Sequence, residues 1–492
     1  MVAESPEVKL IGYLTPTKKN ISPDNLAIYA AASCFDQRSS YEIITDSTSW
    51  AKDQLLSRYP QMEPLDSEVE DYKAKLLEAI PKQSIGRGHT AILDQSAFTF
   101  SISDLPRQTT MHLCLPEYLM HDQQSMRRVT GERGFYLSDK IKDSPFLEKT
   151  NEILNDSFNL YSKLQENKVA VEDSRYVLPL AARTSITTTG NARELTNLKL
   201  ISQNKGVPQV TKNVVSNMLD EASKVAPKLF KKYSFKREGK EVSGFNEEIR
   251  GFFPSQQLFA SENKTLEGII SENNSPKSPV YFESEITEDL LNKALKEKDG
   301  ASLSVLKHIH NGEDKITGFL IPISLAGNHQ LIRERTLNEA SESIYNAVNR
   351  RKIIVPPSVE KSELKEEFLN QNKKMFELYD SLTSNGIPEA EAIGVIPHSL
   401  QVYNIAHING WNATAGVIPK RFCMKAQWEI RNVASTIKDI ISEKSPIMSN
   451  FLLPRGDTWG TCPEAKPCTG RKETKKCPES PGVNEELTYD LK

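Results

Sequence analysis

The chain has 492 residues, of which 38% are hydrophobic and 26% charged, so it is long enough for two or more globular domains with buried cores. Its 62 basic and 65 acidic residues leave a formal net charge of −3, which excludes the strong positive field of a nucleic-acid or anionic-membrane binder. The longest apolar stretch, residues 316–327, is too short to cross a bilayer, and the N-terminus lacks a signal-peptide pattern. We therefore expect a cytoplasmic protein with no nucleic-acid or membrane partner.

The predicted secondary structure mixes helices and strands. In chain order the predicted elements are a strand at 8–14, a helix at 66–80, a strand at 97–103, a helix at 151–167, extended segments at 174–180 and 182–192, and a helix around residue 215. Because these elements do not alternate as regular βαβ units, the pattern predicts an α+β fold rather than a doubly wound sheet.

An internal repeat is the most informative feature of the sequence. Pro179 and Pro397 stand in similar segments 218 positions apart, and Leu115 and Arg333 open another pair of similar segments at the same offset. One helical apolar face also repeats in register: Val215, Leu219 and Ala222 match Val433, Ile437 and Ile440. We therefore predict two copies of one unit, residues 1–237 and 238–454, followed by a tail.

The tail, residues 455–492, is rich in proline, glycine and lysine and has no periodicity, so we expect it to be flexible. Three cysteines lie in it: Cys462, Cys468 and Cys477. Their spacings are unlike those of a zinc knuckle and no histidine is nearby, so we predict no metal site.

Each copy carries part of a ligand-binding pattern. In the first copy, residues 123–127 (QQSMR) bring two amides, a hydroxyl and a guanidinium together, which suits a phosphorylated or heterocyclic ligand. The upstream residues Leu115–Glu117 offer almost nothing to an anion. The second copy is the reverse, with Gln330, Arg333 and Arg335 at the front of the pattern. The losses in the two copies are complementary.

These segments resemble the flavin-dependent thymidylate synthases. That family carries a GHTSPFEH-like stretch, the signature RHRxxSxNExSxRY, a YVLP segment, an NAR triplet and LRxxxxAQWEIR at a helix start. In the second copy, the residues that fall on family positions are Gln330, Arg333, Arg335, Ser343, His308, Glu313, Arg421 and Ala426–Arg431. Glu334 replaces the signature histidine, Tyr345 stands where the substrate-binding arginine belongs, and Asn409 begins an altered NAR triplet.

The first copy keeps what the second has lost. Its family-like residues are His89, Gln123, Gln124, Ser125, Arg127 and the triplet Asn191, Ala192 and Arg193. Leu115 and Glu117 replace the signature arginines, Ser202 replaces the pre-helix arginine, and Asp94 shortens the glutamate of the first stretch.

The resemblance implies a nucleotide site and a flavin site between subunits, so two fused copies would build one composite pocket. The implied substrate-binding residues are Gln123, Gln124, Ser125, Arg127, Arg193, Gln330, Arg333 and Arg421. Arg421 is also the implied catalytic residue, because a guanidinium beside the pyrimidine would stabilise developing negative charge. The implied cofactor-binding residues are His89, His308, Glu313, Arg333, Glu334, Arg335 and Asn409.

The implied reaction is the reductive methylation of dUMP to dTMP. FAD is the implied cofactor, methylenetetrahydrofolate the carbon donor and NADPH the reductant, and two tandem chains would form a homodimer equivalent to the family's tetramer. Two alternatives remain open: a related flavoenzyme that acts on another pyrimidine nucleotide, prompted by Glu334, and a nucleotide-binding protein without turnover. For Arg333 and Arg335 the alternative to a ligand role is a pair of solvated surface arginines on a helix.

Overall fold

The architecture is described here from a computed structural model of the chain. The structure describes residues 5–16, 21–87, 90–126, 133–231, 234–237, 240–243, 264–281, 317–334, 336–408, 412, 417–444, 452–454, 456–457, 462, 464, 466–468 and 487–492.

Helices and strands are mixed throughout these residues. The strands are β1 Glu7–Tyr13, β2 Phe98–Pro106, β3 Met120–Gln123, β4 Arg183–Gly190, β5 Ser234–Arg237, β6 Lys240–Ser243, β7 Val280–Tyr281, β8 Thr317–Ser324, β9 Asn338–Ser341, β10 Lys352–Ile354, β11 Gln401–Ile408 and β12 Thr488–Asp490. The α-helices are Pro23–Ala32, Ser40–Thr45, Ser47–Arg58, Asp66–Ser84, Arg107–Leu113, Asp139–Lys142, Leu147–Glu166, Val171–Ser174, Ala192–Ser202, Gln209–Val225, Pro227–Phe230, Lys264–Glu272, Leu325–Leu331, Ile344–Arg350, Pro357–Glu360, Lys365–Ser384, Glu389–Ala392, Val417–Arg421 and Trp428–Lys444.

Two equivalent four-stranded sheets organise the fold. Their strand orders are β1-β2-β4-β3 and β7-β8-β11-β9, and every neighbouring pair is antiparallel. Strands β4 and β11 are offset by 218 positions, as are the long helices Leu147–Glu166 and Lys365–Ser384. The predicted α+β class and the predicted tandem repeat are therefore confirmed.

The two copies pair through their backbones about a local two-fold axis. The amide of Leu180 donates to the carbonyl of Ile396 (2.9 Å), and the amide of His398 donates to the carbonyl of Leu178 (3.0 Å). Each of these bonds becomes the other when 218 is added to one residue and subtracted from its partner. The repeat is thus a pseudo-dimer within one chain.

Apolar packing follows the same plan with one asymmetry. A large cluster of buried side chains spans both copies, while a second cluster fills the first copy and takes only Ile332 from the second among the described residues. The outer face of the second sheet is covered by the helix Lys264–Glu272, whose Leu266, Ile269 and Ile270 pack on Leu320 and Tyr403. Strand β11 of the second sheet is therefore buried along its whole length, whereas its counterpart in the first copy, β4, alternates buried and half-buried residues.

A buried carboxylate joins the copies beside this axis. Glu429, at the start of the helix Trp428–Lys444, accepts hydrogen bonds from the Ser324 amide (2.7 Å) and hydroxyl (2.6 Å). The hydroxyl of first-copy Tyr176 donates to the same carboxylate (2.5 Å), and the Tyr176 ring stacks on Trp428 with centroids 6.2 Å apart. Burial raises the pKa of Glu429, and these hydrogen bonds oppose that rise. The AQWEIR motif therefore holds the copies together.

The end of the chain departs from expectation. Strand β12 pairs antiparallel with β10, Leu487 is buried, and the Tyr489 hydroxyl donates to Glu360 Oε2 (2.8 Å). The expectation of flexibility is wrong for these last residues, because a three-residue strand with a distant partner leaves no periodic signal.

The predicted boundary after residue 237 falls between β5 and β6, which pair with each other. Within the part of the chain that the structure describes, no helix is both long and apolar enough to span a membrane.

Replacing Tyr176 with phenylalanine should weaken the pairing of the copies. The change keeps the stacked ring but removes the donor to Glu429, and a hydrogen bond to a charged group contributes about 1.5–3 kcal/mol. We expect urea denaturation to show a loss of that size in the free energy of unfolding. Tyr13→Phe, on an exposed residue of β1, is the matched control. Equal losses in the two variants would contradict this role.

Candidate functional site

A cleft of about 340 Å³ opens between the two copies. First-copy residues that line it are Arg107, Gln123, Gln124, Ser125, Met126 and Arg175. Second-copy residues that line it are Ala326, His329, Gln330, Arg333, Glu334 and Arg421. Four arginines and one glutamate among them make the cleft a region of positive charge suited to an anionic ligand.

Most of the substrate-binding residues predicted from sequence that the structure describes lie around this one cleft. Gln123 ends strand β3, so the residues after it leave the sheet edge and face the second copy. Gln330 and Arg333 come from the helix Leu325–Leu331 and the turn behind it. The predicted site residues Arg127, His89, His308, Glu313, Arg335 and Asn409 lie outside the described residues.

Arg193 is not among the residues that line the cleft. The Asn191 side chain accepts a hydrogen bond from the Glu194 amide (2.9 Å) and caps the helix Ala192–Ser202. Arg193, in the first turn of that helix, forms an ion pair with Asp94 of the same copy. The structure thus pairs Arg193 with Asp94 of its own copy and not with the residues of the cleft.

The acidic substitution in the signature has a partner. Glu334 forms an ion pair with Arg421, and its other oxygen lies 3.4 Å from Lys420 Nζ. The Glu334 side chain is 12% exposed and that of Arg421 is 20% exposed. Solvent screens so enclosed a pair only partly, so Glu334 compensates much of the charge that Arg421 would present to a ligand.

A buried cationic group lies elsewhere in the cleft. Arg107 Nη2 is 3.0 Å from His329 Nδ1, and both side chains are buried. Burial, with further contributions from Arg175 and Arg333, lowers the pKa of Arg107 to about 9. Burial and the same cations hold the pKa of His329 well below its usual value, so this histidine is neutral near pH 7.

Arg107 and Arg175 were missed by the sequence analysis. Arg175 stands directly before the YVLP segment, so its place in a quoted motif could have drawn attention to it. The counterpart of Arg107 in the second copy is Leu325. This difference, a charged residue where the other copy has an apolar one, could have indicated a functional role for Arg107.

Two hydrogen bonds pre-position polar side chains of the cleft. Arg333 Nη2 donates to the carbonyl of His121 (2.9 Å), which ties the second copy to strand β3 of the first. Gln123 Nε2 donates to Thr110 Oγ1 (2.8 Å). Orientation before binding reduces the entropy lost when a ligand is held.

The equivalent position on the other side of the two-fold axis is filled by packing. Tyr345, the counterpart of Arg127, is buried, and its hydroxyl donates to the carbonyl of Gly206. His112, the counterpart of Gln330, lies 3.0 Å from Ser202 Oγ, and burial lowers its pKa to about 3. At this position the ligand-binding residues are thus replaced by buried side chains that form hydrogen bonds within the protein and close the position.

A smaller cavity of about 170 Å³ adjoins the cleft through Glu334 and Arg421. Cys423, Cys462 and Cys468 also line it, which places part of the tail beside the site. Burial raises the pKa of the Cys423 thiol. Across the residues that the structure describes, no group of side chains is arranged to hold a metal ion.

Comparison with known proteins matches both copies to one family. A family model described as thymidylate synthase complementing protein matches residues 17–228 and 267–447, more than half of the chain. A flavin-dependent thymidylate synthase of Sulfolobus acidocaldarius is 32% identical over 181 residues, 35% of this chain and 64% of that protein. One of Thermococcus onnurineus is 30% identical over 146 residues, 28% of this chain and 60% of that protein. The chain thus spans less than two thirds of the length of these relatives.

Among solved structures, a UMP/dUMP methylase, PolB, from Streptomyces cacaoi is 16% identical to this chain, with a TM-score of 0.33. The match covers 47% of this chain and 95% of that one. A likeness of this size carries no structural argument.

Proposed function

Because this chain belongs to the thymidylate synthase complementing protein family, we propose that it is a flavin-dependent thymidylate synthase that methylates dUMP to dTMP. The observation that carries the proposal is the single cleft in which Gln123, Gln124 and Ser125 of one copy meet Gln330 and Arg333 of the other. Methylenetetrahydrofolate is the proposed carbon donor and NADPH the proposed reductant.

The donor set of the cleft suits a nucleotide monophosphate. Its phosphate is dianionic near neutral pH, and guanidinium groups bind such oxyanions by charge-assisted and often bidentate hydrogen bonds. Arg175 and Arg333 approach the cleft from different copies, and the Ser125 hydroxyl and the glutamine amides can donate to uncharged oxygens of the ligand. Arg127, in the same segment as Ser125, completes the proposed set.

Arg421 is the proposed catalytic residue. Its guanidinium lines the cleft, and its Nε, although buried, has no hydrogen-bond partner among the described residues. A ligand carbonyl placed there would accept that hydrogen bond, and the positive charge would stabilise negative charge that develops on the pyrimidine. Glu334 weakens this stabilisation because it is already paired with Arg421.

The cleft also has groups that suit an FAD cofactor. Arg333 is exposed and lines the cleft, and it is the proposed cation for the flavin diphosphate. His89, His308, Glu313, Arg335 and Asn409 are further proposed contacts. When bound, the reduced flavin would supply the hydride for the reductive methylation.

We also propose that two chains associate as a homodimer, which mass photometry would detect as twice the 55.3 kDa chain mass.

The decisive experiment is an assay of the purified chain. Its absorption spectrum should show bound flavin, and dTMP should form when dUMP, methylenetetrahydrofolate and NADPH are present together. Bound flavin without dTMP would contradict the proposal. It would favour a flavoenzyme that acts on another pyrimidine nucleotide, the alternative prompted by Glu334 in place of the signature histidine. Failure to bind either flavin or dUMP would favour a protein without turnover.

Arginines from both copies should be required for dUMP binding. We expect Arg175→Met and Arg333→Met each to weaken dUMP affinity at least about ten-fold, or about 1.4 kcal/mol, because each removes a charge-assisted contact. Isothermal titration calorimetry would measure the change. Arg58→Met removes an arginine outside the cleft and should leave the affinity unchanged. If either cleft variant behaved like this control, the shared site would be ruled out.

Neutralising Glu334 should strengthen binding of the dianion. In Glu334→Gln, Arg421 loses its competing carboxylate, so we expect dUMP affinity to increase roughly three- to ten-fold. Glu443→Gln makes the same charge change at an exposed residue outside the cleft and serves as the control. An affinity at or below that of the control would show that Glu334 does not restrain Arg421.

A further inference from the structure

We propose that Arg107 is a further residue that receives the phosphate of the nucleotide, and that it sets the direction in which the substrate lies in the cleft. The inference rests on the proposed function, which supplies the nucleotide. It adds a binding residue at a position that in the twin copy is a core leucine.

The geometry of Arg107 is that of a buried ligand contact. The residue is only 6% exposed, yet it lines the cleft. One end of the guanidinium is held by His329 of the other copy, at 3.0 Å. Its Nε, also buried, has no hydrogen-bond partner among the described residues. An oxyanion in the cleft would satisfy that donor.

The charge of Arg107 lacks compensation. None of the carboxylates that the structure describes forms an ion pair with it, and its strongest electrostatic neighbour is the cation Arg175, followed by the Cys114 thiol and Arg333. A buried charge without a partner is costly, since desolvation is not offset by attraction. A pocket that keeps such a group is arranged for an anion that arrives from solution.

The positive charges in different parts of the cleft are balanced by carboxylates to different degrees. Glu334 balances Arg421 and approaches Lys420, so that part is close to neutral. Arg107, by contrast, forms no ion pair with any carboxylate that the structure describes, so its part of the cleft keeps a positive charge. A molecule with one dianionic end and one uncharged ring is therefore held with its phosphate toward Arg107 and its ring toward Arg421.

The repeat places a leucine at the position equivalent to Arg107. Leu325, its counterpart, is fully buried in the second copy at the start of an equivalent helix. Thus the local backbone accepts an apolar side chain, and the guanidinium is explained by a ligand rather than by packing.

The test compares Arg107→Leu with the wild type, with dUMP and deoxyuridine as probes. We expect dUMP affinity to fall at least about ten-fold and deoxyuridine affinity to change less than about two-fold, because only dUMP carries the phosphate. The melting temperature of the ligand-free variant should rise by about 2 °C or more, since an uncompensated buried charge is removed. A structural role predicts the opposite shift.

Arg107→Lys keeps the charge and should retain most of the preference for dUMP over deoxyuridine, whereas Arg107→Leu should lose it. Equal loss of affinity for both probes, or an unchanged dUMP affinity in Arg107→Leu, would overturn the assignment. A wild-type protein that does not bind dUMP would instead overturn the proposed function. The two failures are therefore distinguishable.

Discussion

Backbone pairing between the copies around Pro179 and Pro397 is the constraint on which the rest of the structure depends. Because each bond has its mate at the same offset, the copies must face each other about a two-fold axis. That arrangement brings strand β3 against Arg333 and lets Tyr176 reach the buried carboxylate of Glu429. The cleft is a consequence of the pairing, since neither copy alone holds both of its walls.

A symmetric frame does not impose symmetric chemistry. Each axis-related position could hold a ligand-binding site, but one is lined by four arginines and the other is closed around Tyr345. At the closed position Tyr345 is buried and Leu115 packs against both apolar clusters, so side chains fill this volume. Conversely, the retained cleft keeps groups such as Arg107 that a well-packed interior would not tolerate.

The sequence predicted the architecture better than the electrostatics. The repeat and the α+β class follow from periodic patterns, which survive because core faces must recur at fixed spacing. The meeting of Gln123 with Arg333 could be proposed because complementary losses constrain pairing. By contrast, the pairing of Glu334 with Arg421 depends on distances between elements far apart in sequence. The same holds for Arg193, which forms an ion pair with Asp94 of its own copy.

Placement of both walls of the cleft in one polypeptide changes how the site responds to dilution. A site shared by separate chains is lost when the complex dissociates at low concentration. Here the walls remain in contact because they are covalently linked and share one core. Formation of this cleft is therefore a unimolecular property, and a cell could maintain it with very few copies of the protein.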